Sequence, residues 1–267
     1  MNLLAFELAT EACSVALWLD GDVHERFEIA PRRHAELALP WAGQLLAEAG
    51  IAKSQLDAIA VGRGPGAFTG VRLSIAIGQG IALALDRPML PVSTLAALAA
   101  GVFAPLLLHP EAGEKDRLQA VGLRSEECAQ APEGRTGWGE GARVLAAIDA
   151  RMGEVYSGAF ECCDDQLVAI AEETVGAPDQ ARLPGSGSVW HGVGTGFSAA
   201  DGFLQQHWGD RFRTIDATAL PRAADVARLA ALAFARGEAI AAECIEPAYL
   251  RNNVALTLEQ QRARRPR

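Results

Sequence analysis

Cysteine is sparse and unpatterned in this chain. Cys13, Cys128, Cys162, Cys163 and Cys244 make an odd count at irregular spacings, with no C-x-x-C. That argues against a disulfide framework or a zinc knuckle and fits a reducing compartment. Histidine is thin too. His24, His34, His109, His191 and His207 stand far apart, and none pairs at the spacing that puts two imidazoles on one helix face. A helical zinc-peptidase site therefore lacks its main support. The apolar runs are broken by polar residues before they reach a membrane span. Met1-Asn2 leads straight into an apolar run, without the basic segment and cleavage site of a secretory signal. The expectation is a cytoplasmic protein that does not associate with membranes. Positive charge is also short: 24 Lys and Arg against 33 Asp and Glu leave a net charge of −9. Such a surface repels polyphosphate, so tRNA or DNA binding by the surface at large is not expected. The one basic cluster, Arg262 to Arg267, reads as a solvated terminus.

What is present is a repeat of pattern. Half of the 267 residues are hydrophobic, enough for one large domain or two modest ones. Leu3-Leu4-Ala5-Phe6-Glu7 is an apolar run ending in an acid, followed by a turn and a second strand, Ser14 to Leu19. Val144 to Asp149, a turn at Ala150-Arg151-Met152-Gly153 and a strand from Glu154 to Phe160 repeat it half a chain later. Strand, acid, turn, strand, met twice among mixed helices and strands, predicts a duplicated α/β fold in two lobes. The first lobe spans 1–108 and the second 142–258. Between them, 109–141 is rich in Glu, Gly, Arg and Gln, has little periodic apolar content, and reads as a flexible insertion. The tail, 259–267, reads as disordered.

Two helices in the first half own more apolar surface than one core needs. The first, Arg32 to Ala49, has Pro31 near its start and Gly50 after its end. Its apolar residues, Leu37, Trp41 and Leu45 among them, cover an arc of roughly 200°. The second, Thr69 to Asp86, has Arg72, Gln79 and Asp86 on one line and is otherwise apolar or small. One face reads Thr69, Leu73, Ala76, Gly80, Ala84, a stripe that lets another backbone approach closely. Such a helix must be covered nearly all round. Either a partner covers it, or the second lobe and the helix near 221–236, returning to the first lobe, do so.

Candidate chemistry gathers at three places. The loop Gly62-Arg63-Gly64-Pro65-Gly66-Ala67-Phe68-Thr69-Gly70 follows a strand and opens the second helix, as phosphate loops do. No lysine follows Gly70, and the Rossmann glycine spacing misses. A tight turn capped by Thr69 is the reading favoured here. Glu7, with Thr10 behind it, and Asp149 occupy equivalent strand ends, where a kinase of such a fold would hold a metal-bound phosphate. Bulky residues follow each acid. Gly192 to Gly196, with Gly194 at its centre, is either a degenerate adenosine loop or a turn. Neither a catalytic nor a metal site is assigned.

Four stretches resemble the TsaB (YeaZ) family: Glu7 to Leu17, Gly62 to Arg72, Ala147 to Tyr156, and Pro247 to Asn253. The resemblance covers nearly the whole chain except the insertion and the last residues. It implies an actin/Hsp70-like, ribonuclease H-like fold of two lobes. It also implies a non-catalytic scaffold subunit in a complex that transfers threonylcarbamoyl to tRNA adenosine. The implied partners are the catalytic paralogue TsaD, as a heterodimer, and the ATPase subunit TsaE. ATP, ADP and metal would sit on those subunits and none on the isolated chain; tRNA would be met only through the complex. By position the two helices become the interface, with His34 at the head of the first; alone, the chain would form a homodimer. The alternative is a metal- or ATP-dependent enzyme of the same fold, a peptidase or a small-molecule kinase.

Overall fold

A computed structural model describes residues 1–108, 141–163, 166–185 and 189–251. Nearly all of the predicted insertion, the predicted tail, Cys128, Asn252 and Asn253 lie outside the described residues.

Two sheets of matching topology organise the chain. The first has the order β3-β2-β1-β4-β5. It contains β1 (Asn2–Glu7), β2 (Ala12–Leu19), β3 (Asp22–Ile29), β4 (Ala58–Gly62) and β5 (Met89–Val92). The β1–β2 and β2–β3 pairs are antiparallel, and β4 and β5 continue parallel to β1. The second sheet contains β6 (Arg143–Arg151), β7 (Glu154–Cys163), β8 (Gln166–Ala169), β10 (Trp190–Val193) and β11 (Phe212–Asp216), with β9 (Thr174–Gly176) paired to β7. Its order, β11-β10-β6-β7-β8, repeats the plan: an antiparallel trio, then two strands parallel to its founder.

Alternation along the founding strands sends side chains to opposite faces. Leu4 and Phe6 join Val15, Leu45, Leu46, Val61 and Ile75 under two helices, α1 (His34–Glu48) and α2 (Phe68–Leu85). Leu3 and Ala5 join Ala223, Val226, Ala227 and Ala230 of α5 (Ala223–Ala235) on the other face. In the second sheet, Val144, Ala146 and Ile148 pack on Leu95, Leu98 and Ala99 of α3 (Thr94–Leu108). Leu145 and Ala147 join Trp190, Phe197 and Leu204, the last on the short α4 (Phe203–Trp208).

The helices therefore cross between halves. α3 comes from the first half and covers the second sheet. α5 comes from the second half and returns to the first sheet. Its opening amides are capped from across the chain: Ala223 N–H donates to Ser14 Oγ at 2.8 Å and Ala224 N–H to Glu25 Oε1 at 3.1 Å. Between α3 and α5 the wholly buried Asp225 accepts from Arg228 at 2.5 Å.

Helix limits shift by a residue or two from the sequence expectation, for backbone reasons. Arg32 has φ +70°, which delays α1 to His34. Thr69 does not cap α2; Ala67 holds that position and its N–H donates to Ala9 O at 2.7 Å. Asp86 adopts a left-handed conformation, φ +52°, and ends the helix. α2 is also, among the described helices, one that is long and apolar enough to cross a bilayer, contrary to the expectation from interrupted runs. Its Gly70, Val71, Ser74, Ile75, Gly78 and Ala82 are buried in the protein's own core.

Candidate functional site

The acid of the first turn faces inward. Glu7 is 1% exposed. Its Oε1 accepts the Ala9 N–H at 2.8 Å and its Oε2 accepts the Thr94 hydroxyl, at the head of α3, at 3.0 Å. Burial pushes the carboxyl up to about 7, against the pull of those two bonds and of the Leu8 amide. The glycine-rich loop closes over this turn. A Cβ on Gly62 would stand 2.0 Å from Glu7 Oε2, one on Gly66 2.4 Å from Ala9 O, and one on Gly70 2.0 Å from Leu8 O. Gly62 makes room for the Glu7 carboxyl, and Gly66 and Gly70 let backbone lie against backbone where a phosphate loop would leave room for its ligand. Thr10, also buried, accepts the Ala12 N–H at 3.4 Å.

The second copy is closed in its own way. Asp149 lies within β6, two residues before its end, and is not terminal as Glu7 is. Its carboxylate accepts Arg151 N–H at 2.7 Å and the Arg151 guanidinium at 2.9 Å, bracing a left-handed turn through Arg151, Met152 and Gly153. Thr195 Oγ1 accepts the Asp149 N–H at 3.1 Å. Gly194 and Gly196 press on β6: added Cβ atoms would meet Ala147 O at 2.2 Å and Ala147 C at 2.7 Å. Gly192 to Gly196 forms a strand end and a 3₁₀ turn. The four candidates Glu7, Thr10, Asp149 and Gly194 thus each spend their polar groups or their missing side chain on the chain itself. No cluster of three or more metal-ligating side chains occurs among the described residues.

The outer face of α2 is different. Of the predicted stripe, Thr69, Ala76, Gly80 and Ala84 are exposed and Leu73 is half-buried. Nothing lies within 4 Å of where a Gly80 Cβ would be. Phe68 and Leu83, 55% and 64% exposed, add large apolar groups to the two ends of the same helix. On α1, Leu37 and Trp41 are half-buried and pack on the core edge, while Leu39 is exposed. One position departs from the expected interface. Leu45 is 4% exposed and belongs to the core under α1, so it offers no contact outward. His34 is half-buried with Nε2 3.0 and 3.1 Å from the carbonyls of Thr10 and Ala12, which pins α1 to the β1–β2 turn.

A frame of residues around α2 was missed in the sequence. Gln79 Nε2 donates to Ala242 O at 2.8 Å. Arg72 Nε donates to Tyr249 Oη at 2.6 Å, its guanidinium lies 3.7 Å from the Phe68 ring centre, and Phe68 and Tyr249 stack at 6.0 Å. Ala248 N–H donates to Arg63 O at 2.8 Å. The Pro247–Arg251 run marked this strap only as a motif, because such contacts between distant segments leave no periodicity.

Two lobes of one duplicated plan, each built round a strand–acid–turn–strand unit and exchanging helices, define an actin/Hsp70-like α/β protein. Comparison narrows this. A TsaB protein of tRNA threonylcarbamoyladenosine biosynthesis from Escherichia coli K12 is 40% identical over 259 residues, covering 96% of either chain. Its Haemophilus influenzae counterpart is 35% identical over 95% of either chain. The solved structure of YeaZ from Pseudomonas aeruginosa superposes with a TM-score of 0.73 at 38% identity, covering 93% of this chain and 99% of that one. Residues 23–118 also match the TsaD family model, tRNA N6-adenosine threonylcarbamoyltransferase. This chain belongs to the TsaB family.

Proposed function

We propose that this chain serves tRNA threonylcarbamoyladenosine formation as a non-catalytic scaffold subunit. The outer face of α2, flanked by the exposed side of α1, docks the catalytic paralogue TsaD. One observation carries the reading: a stripe of Thr69, Ala76, Gly80 and Ala84 stays open along an apolar helix whose inner side is already satisfied by its own sheet. Exposed apolar surface of this kind is the signature of a binding face. Small residues let two helix backbones come close. The match of residues 23–118 to the TsaD model supports a partner of like fold, meeting this face in a pseudo-symmetric pair.

The buried turn at Glu7, packed under the glycine-rich loop, supports the second half of the reading. Nucleotide and metal act on partner subunits, TsaD and the ATPase TsaE, and tRNA is met through the assembled complex in the cytoplasm. Without TsaD the same face pairs with a second copy.

The test is titration calorimetry of TsaD with the wild-type chain and with Gly80→Leu. Gly80 faces open space inside a helix, so the variant should unfold at or somewhat above the wild-type urea midpoint and lose at least about tenfold in affinity. Unchanged affinity moves the interface elsewhere. ATP hydrolysis or stoichiometric zinc in the isolated chain would favour the enzyme reading instead.

A further inference from the structure

The segment that follows α5 runs along the flank of α2 and then leaves its own lobe. It is anchored first by paired backbone bonds between Ile240 and Met89, 2.8 and 2.9 Å. Ala242 and Ile245 are buried in the core under α1 and α2. Ala242 O takes the Gln79 amide, and Tyr249 takes Arg72 and stacks on Phe68 in the first turn of α2. Two residues later Arg251 reaches the other sheet: its guanidinium donates to Ala150 O at 3.1 Å and pairs with the Glu154 carboxylate, both on the β6–β7 hairpin.

A second bridge stands beside it. Ser93 Oγ caps α3 by accepting the amides of Leu95 and Ala96 at 3.1 and 3.2 Å, and it donates to the Glu173 carboxylate of the second lobe. Arg63 joins the bridges: its N–H donates to Val92 O at 2.9 Å, its carbonyl accepts Ala248 N–H, and its charge acts on Glu173. The glycine-rich loop is thus the meeting point of α2, α3, the C-terminal strap and the second lobe.

We infer that residues 247–251 are an interlobe clasp, which couples the angle between the lobes to the position of the first turn of α2, and so to partner docking. The inference rests on the docking face proposed above. The physical reason is a contrast in strength. The strap is anchored in the first lobe by the buried Ala242 and Ile245, but beyond them its contacts lie at the surface, and it holds the second lobe only through a partly exposed ion pair and one carbonyl. Contacts of that kind break without unfolding either lobe. When Arg251 lets go, the strap keeps its bonds to Arg72 and Arg63 but loses its anchor on the second lobe, and the exposed Phe68–Arg72–Tyr249 stack at the edge of the docking stripe is free to rearrange. Coupling of this kind is reciprocal: a partner that fixes the first turn of α2 also holds the clasp shut.

Arg251→Ala separates the clasp from the face, because Arg251 lies outside α1 and α2. Two readouts are taken on the full chain: hydrogen exchange of the Ala248 amide, and calorimetric affinity for TsaD. The expected result is exchange at Ala248 faster by about tenfold, core amides of β1 and β6 unchanged, and affinity lower by about three- to tenfold. Exchanging the charges, Arg251→Glu with Glu154→Arg, should restore most of that affinity. Faster exchange at Ala248 with unchanged affinity overturns the coupling. If Gly80→Leu abolishes binding while Arg251→Ala leaves it intact, the docking face stands and the clasp falls. If the wild type does not bind TsaD, the docking face itself is wrong and the coupling goes with it.

Discussion

Gly70 shows how a residue with no side chain can decide a site. A methyl group there would come within 2.0 Å of Leu8 O, a backbone atom that cannot swing aside. Gly70→Ala should therefore push α2 off the β1–β2 turn and cost about 3 kcal/mol in urea unfolding. A loss under about 1 kcal/mol would mean that the loop has slack for a ligand after all. Glu7 gives the complementary test. Its folded carboxyl titrates at about 7 against an ordinary 4.5, so the folded state holds that proton more tightly than the unfolded chain. The contribution is fully present below pH 4.5 and is lost as pH rises through 7, about 3 kcal/mol in all. Asp225, pushed up to about 6 by burial, acts in the same sense, and His191, pushed down to about 4 by burial and Arg213, in the opposite one. The difference between wild type and Glu7→Gln isolates the one group. Relative to wild type, the variant should gain stability steadily from pH 5 to 7.5 in urea midpoints; a flat difference would mean an ordinary carboxyl.

At the scale of elements, α2 carries the functional reading, and it was legible because its composition broke a rule. Leu73, Ala76, Gly80 and Ala84 on a helix with so few polar positions mark a second apolar face beside the one its own sheet covers. The spacing placed the limits of the helix within one residue, and Thr69, Ala76, Gly80 and Ala84 lie exposed along it. Reading α1 by composition alone went too far: Leu45 has the same hydrophobicity as Leu39, yet one is buried and the other is not. Periodicity gives the arc of a helix, not the side on which its own sheet lies. Thr69 misled for a related reason. A threonine before an apolar run suits a cap, but the Ala67 amide is already held by Ala9 O and the helix opens one residue early.

For the molecule as a whole, the duplicated plan was visible in β1–β2 and β6–β7, because each founding strand ends in or near an acid before a turn. The exchange of α3 and α5 between sheets was not. Nothing local in Thr94–Leu108 says which sheet it covers, and the cap on α5 comes from Ser14 and Glu25, some two hundred residues earlier. The strap from Ile240 to Arg251 was hidden in the same way. Long-range contacts of this kind decide how the lobes are tied, and they leave no period for a sequence to display.

A photo-reactive phenylalanine analogue at Leu83, on the open face of α2, tests the central claim directly when the chain is mixed with TsaD, with the same group at Asp210 in the second lobe as control. The Leu83 position should cross-link to TsaD in high yield, and the Asp210 position should not. Cross-links from Asp210 with none from Leu83 would place the partner on the wrong lobe and contradict the account.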